Sequence, residues 1–159
     1  TIPTVIRLIE RAGRPELVAP LWSTIMQVRL PSWIRGSAYR LALDADVLPS
    51  HSLGPLERWI SVKYGPNSWF WDDYALLWAF VRRHPSAGLR VLARTRLSGV
   101  RSWRQERSGE RLVIGAHAYA ALRRTGKALE LLRRAKTVDG LHQTSKEQIT
   151  ERIAELEEA

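Results

Sequence analysis

One short stretch of the chain, residues 74–81, reads YALLWAFV and carries apolar side chains on almost every side of a helix. One helical stripe contains Tyr74, Leu77, Trp78 and Val81, while Leu76 and Phe80 fill much of the opposite side. A helix that is apolar nearly all round has to be buried among other elements. Pro85 follows shortly afterwards and ends the segment. The sequence therefore predicts a central helix at this point, surrounded by other helices.

The remaining apolar segments also repeat with a helical rather than an alternating period, which favours helices over strands. The predicted helices cover residues 4–12, 16–28 (kinked or begun by Pro20), 33–45, 55–64, 86–97, 110–125 and 127–138. Thr144 is predicted to cap a last helix, with Glu147 completing a capping-box pattern. We therefore predict an all-α fold of seven to nine helices, either an irregular bundle or a short α-solenoid of helical hairpins.

The size and composition of the chain indicate one globular domain with a terminal extension. Its 159 residues, 45% of them apolar, are enough to build a core. We assign residues 1–143 to a single helical domain and residues 144–159 to an acidic amphipathic C-terminal helix. Cysteine is absent, which excludes disulfides, and no apolar run is long enough for a membrane span. We expect a cytoplasmic protein with no cofactor and no membrane contact.

The positive charge of the chain is concentrated in one segment. The net charge is +9, yet residues 82–143 alone carry fifteen basic and four acidic side chains. Residues 144–159 carry two basic and five acidic ones, and 21 of the 25 basic residues are arginine. Arginine binds phosphate with two parallel hydrogen bonds and stacks on bases, so this bias suits nucleic acid. A GC-rich genome and ordinary solvated helix faces are the alternative explanations.

The basic segment supplies the candidate binding site. Trp103 lies within the basic stretch 98–109, where an aromatic ring suits stacking on an unpaired base. We predict a noncatalytic helical module that contacts the backbone of RNA or DNA and belongs to a larger assembly. The predicted contact residues are Arg90, Arg94, Arg101, Trp103, Arg104, Arg107, Arg123, Arg124, Arg133 and Arg134.

A helical scaffold for protein interaction is the alternative prediction. Trp22 and Trp33 are candidates for an interface because tryptophan is enriched at such surfaces. The C-terminal helix, with its narrow apolar stripe, is a second candidate for contact with a partner. The other tryptophans of the first half of the chain and the central segment are predicted to be core or core-edge residues: Trp59, Trp69, Trp71 and Trp78.

A third prediction rests on a resemblance. Arg111 and His117 are separated by five residues within a helical segment. This spacing is similar to the short motif of the helical HEPN ribonucleases, although Leu112 stands where that family usually has a polar residue. The resemblance covers only the stretch from Arg111 to His117 and implies metal-free RNA cleavage that involves these two residues.

The sequence contains no other arrangement that favours catalysis or metal binding. It lacks the zinc-protease, nucleophile-elbow, phosphate-loop and dinucleotide motifs. Asp44, Asp46 and His51 are close in sequence, but capping and turn roles explain them better than a cation site does. We therefore predict no catalytic residues and no metal ligands.

Overall fold

The computed structural model describes residues 1–63, 74–95 and 102–159. These described ranges form nine α-helices, three short 3₁₀ helices and no strands, so the predicted all-α fold of seven to nine helices is confirmed. The α-helices are α1 (Ile2–Ala12), α2 (Trp22–Gln27), α3 (Ser32–Asp44), α4 (Leu53–Lys63), α5 (Ala75–Arg83), α6 (Pro85–Arg94), α7 (Gly109–Ala121), α8 (Thr125–Ala135) and α9 (Lys146–Glu158). The 3₁₀ helices are Pro15–Leu21, Ser50–Ser52 and Trp103–Gln105.

The chain divides into two compact units, unit 1 (Thr1–Leu56) and unit 2 (Glu57–Ala159). The boundary falls inside α4, and α9 belongs to unit 2 together with the whole basic segment. The assignment of residues 1–143 to one domain stays a prediction.

Unit 1 is built around the apolar faces of α1 and α3. The first helix ends as the sequence predicts, at Gly13, whose φ is positive. Glycine tolerates this left-handed conformation because it has no side chain. Ile6 and Ile9 are buried, whereas the apolar side chain of Leu8 is 58% exposed. Glu10 of the same helix forms an ion pair with α3, in which Arg40 Nη2 lies 2.8 Å from Glu10 Oε1.

The predicted helix over residues 16–28 forms as two pieces. Pro15–Leu21 is a 3₁₀ helix that contains Pro20, and α2 begins at Trp22. Proline has no backbone N–H and cannot complete a regular α-helical turn at this position. Trp22 is buried, donates a hydrogen bond of 3.1 Å to Ser52 Oγ and packs edge-on against Tyr39. A buried, satisfied indole is a core residue, so the predicted interface role of Trp22 is wrong.

Unit 2 has α5 and α7 at its centre. Every residue from Leu76 to Val81 is buried, which confirms the prediction of a central helix at this point. Helix α7 is buried over most of its length and contacts α5, α6 and α8. The predicted core positions of Trp69 and Trp71 lie outside the described residues.

Helix α6 approaches α5 closely at Gly88. A Cβ atom at this position would lie 2.5 Å from Cγ2 of Val81 and 3.2 Å from its Cα. We expect Gly88→Ala to lower the free energy of unfolding by about 1–3 kcal/mol, because the two helix backbones have to separate. Gly126→Ala is the matched control, since nothing lies within 4 Å of its Cβ. Because alanine favours a helix over glycine by roughly 1 kcal/mol, we expect Gly126→Ala to be at least as stable as the unmodified chain. Equal urea midpoints for Gly88→Ala and the unmodified chain would contradict this packing.

Helices α7 and α8 form an antiparallel hairpin whose open end is tied by backbone hydrogen bonds. The amides of Gly109 and Glu110 donate to the carbonyls of Asp139 and Gly140, at 2.8 and 2.9 Å. The chain turns between α8 and α9 at Asp139 and Gly140, and Gly140 has a positive φ. The chain then leads into α9 through residues 141–145.

The cap of α9 differs from the sequence prediction by one residue. Ser145, not Thr144, is the N-cap, and Gln148, not Glu147, completes the capping box. Thr144 does not cap α9 because its polar groups are engaged elsewhere. Its hydroxyl and its amide both donate to the buried carboxylate of Glu110 instead.

Candidate functional site

The structure describes nine of the ten predicted nucleic-acid contacts, since Arg101 lies outside the described residues. All of them belong to unit 2. They fall into three groups: arginines held by a carboxylate, arginines with no ion pair, and Trp103.

Arg90 and Arg94 lie one turn apart on α6 and share the carboxylate of Glu57. Arg90 donates from Nε and Nη2 over 3.0 and 3.2 Å, and Arg94 donates from Nη1 over 3.2 Å. The hydrogen bond from Arg90 lowers the pKa of Glu57, so this carboxylate stays ionised at neutral pH. These two arginines therefore present less free positive charge than the sequence alone indicates.

Arg133 is also paired, through the acidic C-terminal helix. Its Nη2 lies 2.7 Å from Oε1 of Glu157 on α9, and both side chains are more than half exposed. An exposed pair of this kind contributes little to stability and is screened by salt. It nevertheless places one carboxylate of the acidic helix beside the basic segment.

The second group consists of five exposed arginines for which the described part of the chain provides no ion-pair partner. We call them the unpaired arginines: Arg104, Arg107, Arg123, Arg124 and Arg134. Arg104 and Arg107 precede α7, whereas Arg123 and Arg124 follow it. Helix α7 has 13 residues. At the usual helical rise, these two pairs are therefore separated along the chain by a helix of about 20 Å.

Arg123 occupies an unusual backbone position. It follows the C-cap Leu122 and has a positive φ, in the left-handed region that normally favours glycine. Its amide donates to the carbonyl of Ala120, and the amide of Arg124 donates to that of Tyr119. The turn thus ends α7 in the geometry of a glycine cap, with an exposed arginine in the glycine position.

Trp103 packs on α7 instead of projecting freely. A Cβ atom at Gly115 would lie only 2.9 Å from Cη2 of the Trp103 ring. The absence of a side chain at Gly115 therefore makes room for the edge of the indole. Trp103 remains partly exposed, and its stacking role stays a prediction.

Two charged residues whose structural role the sequence pattern does not predict lie inside unit 2. Glu110 and Arg111 are adjacent at the start of α7, and neither side chain has any exposed surface. The sequence signal was available: a charged pair opens a helix that is otherwise apolar over residues 112–116. Buried charges are rare unless they are paired or fully hydrogen-bonded.

The Glu110 carboxylate is the most highly bonded group of the described structure. Its Oε1 accepts from the amides of His142, Gln143 and Thr144, at 2.9, 2.8 and 3.0 Å. Its Oε2 accepts from the indole of Trp78 and the hydroxyl of Thr144. Burial opposes ionisation, but these hydrogen bonds outweigh it, and the pKa of Glu110 is lowered.

Arg111 and His117, the two residues of the ribonuclease resemblance, do not line a common surface. Arg111 is fully buried and donates to Glu106, to the carbonyl of Leu92 and to the hydroxyl of Thr95. His117 is half-buried and lies in a cavity on another side of α7, beside Trp78. The structure thus places Arg111 in the core and only His117 within reach of a ligand.

The tryptophans of the alternative prediction divide between core and surface. Trp33 is 52% exposed, and the guanidinium of Arg7 lies 4.4 Å from its ring centroid. Trp78 is buried and donates its indole N–H to Glu110. Trp33 is therefore available for contact with a partner, whereas Trp78 is a core residue.

No family model matches this chain, and neither does a curated protein or a solved structure. Within residues 1–63, 74–95 and 102–159, no group of three histidine or acidic side chains is arranged to hold a metal ion. The helices in these ranges are all too short or too polar to cross a membrane.

Proposed function

We propose that the protein is a noncatalytic, cytoplasmic helical module that binds the sugar-phosphate backbone of RNA or DNA as part of a larger assembly. The five unpaired arginines supply the contacts. They are exposed, and in the described ranges no carboxylate neutralises them. Their guanidinium groups match the geometry of phosphate, and binding through them releases counterions from the nucleic acid.

Arg123 is the observation that carries this proposal. Its φ is positive, although it is not a glycine. A side chain in this region destabilises the backbone by roughly 1 kcal/mol relative to glycine. An exposed arginine without an ion pair in the described structure gives no obvious compensation for that strain. Strained residues concentrate at functional sites, where a ligand supplies the missing interaction. Phosphate is the ligand whose charge and shape suit a guanidinium.

Arginines that contact phosphates read no sequence, so the proposed binding is general. Arg90, Arg94 and Arg133 are predicted to contribute less than the unpaired arginines, because a carboxylate already holds each of them. The partly exposed face of Trp103 supplies stacking on an unpaired base. Since Arg111 is buried and does not share a cavity with His117, the proposal involves no cleavage.

Fluorescence anisotropy with a labelled single-stranded 20-mer and a labelled duplex tests the proposal. We expect Arg123→Gly/Arg124→Gln to weaken binding about tenfold, equivalent to ~1.4 kcal/mol. The same variant is expected to unfold at the same or a higher urea concentration, because glycine relieves the strain at position 123. Loss of binding with gain of stability separates the ligand contact from the fold.

Arg90→Gln/Arg94→Gln is the matched control. It also removes two positive charges, but from arginines that Glu57 already holds. We expect this control to weaken binding by less than about threefold. Equal losses for the two double variants would show that only net charge matters. No binding by the unmodified chain would contradict the proposal and favour the protein-interaction alternative. RNA shortened during the assay by the unmodified chain but not by His117→Ala would contradict the noncatalytic assignment.

A further inference from the structure

Unit 2 contains a cavity of about 260 Å³ between α5, α7, α8 and α9. The apolar part of its wall includes Val113 of α7, Leu132 of α8 and Ile149 of α9. Its volume is slightly below the range of roughly 300–1,000 Å³ for pockets that hold drug-sized ligands. The cavity is therefore large enough for a small organic molecule and much larger than a single water site.

The charged groups of the wall all have the same sign. Arg82 of α5 and Arg152 of α9 line the cavity, and none of its described lining residues is acidic. Arg82 lies over the Trp78 ring, with the guanidinium carbon 4.8 Å from the ring centroid, and no described carboxylate pairs with it. Arg152 pairs at 2.8 Å with Glu155 on its own exposed helix surface. Two guanidinium groups thus reach the same cavity from different helices.

His117 adds a neutral polar group to the same wall. Its ring packs edge-on against Trp78, with centroids 5.6 Å apart, and no described residue hydrogen-bonds to its imidazole. Burial lowers the pKa of His117, and the positive charges of Arg82 and Arg152 lower it further. At neutral pH the imidazole is therefore uncharged and offers one donor and one acceptor. Gln143, Thr144 and Gln148 are the other polar residues of the wall.

Hydrogen bonds of the Glu110 carboxylate connect parts of the cavity wall. Glu110 lies behind the wall and bonds to Trp78 on one side and to Gln143 and Thr144 on the other. Two of the cavity's elements, α5 and the segment before α9, are thereby tied to α7. A preformed cavity does not have to be ordered when a ligand enters, which favours binding.

We propose that this cavity binds a small organic anion, with an acidic head group held by Arg82 and Arg152 and an apolar body packed against Val113, Leu132 and Ile149. The head group is a carboxylate or a phosphate monoester, since both match guanidinium donors. The imidazole of His117 donates a further hydrogen bond to the anion or to its linking oxygen. The residues of this site do not include the unpaired arginines, so the proposal of an anion site does not depend on nucleic-acid binding.

Nuclear magnetic resonance of the full chain tests the proposal, with benzoate, phenyl phosphate and neutral benzyl alcohol as probes. We expect benzoate or phenyl phosphate to shift the signals of Trp78 Nε1–H and the His117 ring saturably, and the tighter probe identifies the head group. Either anion should also raise the pKa of His117, because a bound negative charge favours the imidazolium. Benzyl alcohol should bind at least about tenfold more weakly than the better anion, a difference of ~1.4 kcal/mol.

Substitutions of the cavity-wall arginines test whether the anion binds in the cavity. Arg82→Gln should weaken binding of the better anion about tenfold. Arg152→Gln should weaken it by a smaller factor, because Glu155 already pairs with Arg152. Lys146→Gln is the control, because it removes a charge from α9 outside the cavity wall. The proposal is overturned if neither anion gives saturable shifts at millimolar concentration. It is also overturned if benzyl alcohol binds as tightly as the anions, or if the two arginine variants behave like Lys146→Gln.

Discussion

Glu110→Gln is expected to lower the free energy of unfolding by about 3–5 kcal/mol. The substitution disrupts a buried carboxylate that accepts five hydrogen bonds. Glutamine keeps only one acceptor oxygen. If that oxygen replaces Oε1, the amide NH₂ faces the indole N–H of Trp78 at close range. If it replaces Oε2, the NH₂ faces three backbone N–H groups. Either orientation leaves buried donors without an acceptor.

The Glu110→Gln substitution is also expected to loosen the attachment of α9. Glu110 is the group through which α7 holds residues 142–144, and these residues lead directly into α9. We therefore expect the variant to release α9 before the rest of unit 2 unfolds. Hydrogen exchange should show faster exchange of the amides of α9 in Glu110→Gln than in the unmodified chain.

Urea denaturation followed by circular dichroism measures the main effect. Glu151→Gln is the control, because it makes the same chemical change on the exposed surface of α9. We expect the control to change stability by less than about 0.5 kcal/mol. A Glu110→Gln variant as stable as Glu151→Gln would show that the carboxylate does not hold the segment.

The same residue gives unit 2 a defined sensitivity to acid. The pKa of Glu110 is lowered from its ordinary value of 4.5, so the unfolded chain binds its proton more readily than the folded chain. The stabilisation is therefore complete above the unfolded-state pKa and is lost as the pH falls through the folded-state pKa. Stability measured on acidification from neutral pH should fall less steeply for Glu110→Gln than for the unmodified chain.

Arg111→Leu is the second substitution with a large expected effect, again about 3–5 kcal/mol of lost stability. Arg111 Nε lies 3.3 Å from Oε2 of Glu106, and both side chains are almost completely buried. Removal of the guanidinium leaves the carboxylate of Glu106 as an unpaired charge inside the protein. It also removes the donors to the carbonyl of Leu92 and the hydroxyl of Thr95.

A double substitution separates the charge effect from the packing effect. Arg111→Leu/Glu106→Gln removes both charges, and we expect it to regain about 2 kcal/mol relative to Arg111→Leu alone. Glutamine at position 106 retains an oxygen that can accept the amide hydrogen bond of Ser108. Arg134→Leu on the exposed surface of α8 is the control. A double variant no more stable than Arg111→Leu would mean that lost packing, not the isolated charge, dominates.

Local patterns in the sequence predicted most of the helical architecture. Residues 74–81 are apolar on nearly every side, and burial of Leu76–Val81 follows from that property alone. The first helix ends at Gly13, directly after its predicted last residue, because the positive φ of this position suits a residue without a side chain. The caps were harder to assign. Thr144 and Ser145 are adjacent and chemically equivalent as caps, and the distant carboxylate of Glu110 decides between them.

The candidate site was less predictable because charge partners are distant in sequence. The sequence predicts Arg90 and Arg94 as nucleic-acid contacts, but Glu57, far earlier in the chain, accepts hydrogen bonds from both. The spacing of Arg111 and His117 predicts that the two residues act together, but Arg111 is buried and donates hydrogen bonds to the carbonyl of Leu92 and the hydroxyl of Thr95. The strain at Arg123 depends on how α7 ends, and its residue type gives no sign of it. Pairing and strain are properties of the folded chain, not of the local pattern.

The salt dependence of nucleic-acid binding tests the central claim most directly. The association constant for a single-stranded 20-mer should be measured between about 50 and about 200 mM salt, for the unmodified chain and for a variant that lacks all five unpaired arginines. That variant is Arg104→Gln/Arg107→Gln/Arg123→Gly/Arg124→Gln/Arg134→Gln. Five phosphate contacts predict a slope of log K against log salt of about −3.5 for the unmodified chain. The slope of the variant should be much shallower, because Arg90, Arg94 and Arg133, which remain, are already held by carboxylates, whereas equal slopes for the two proteins would contradict the claim.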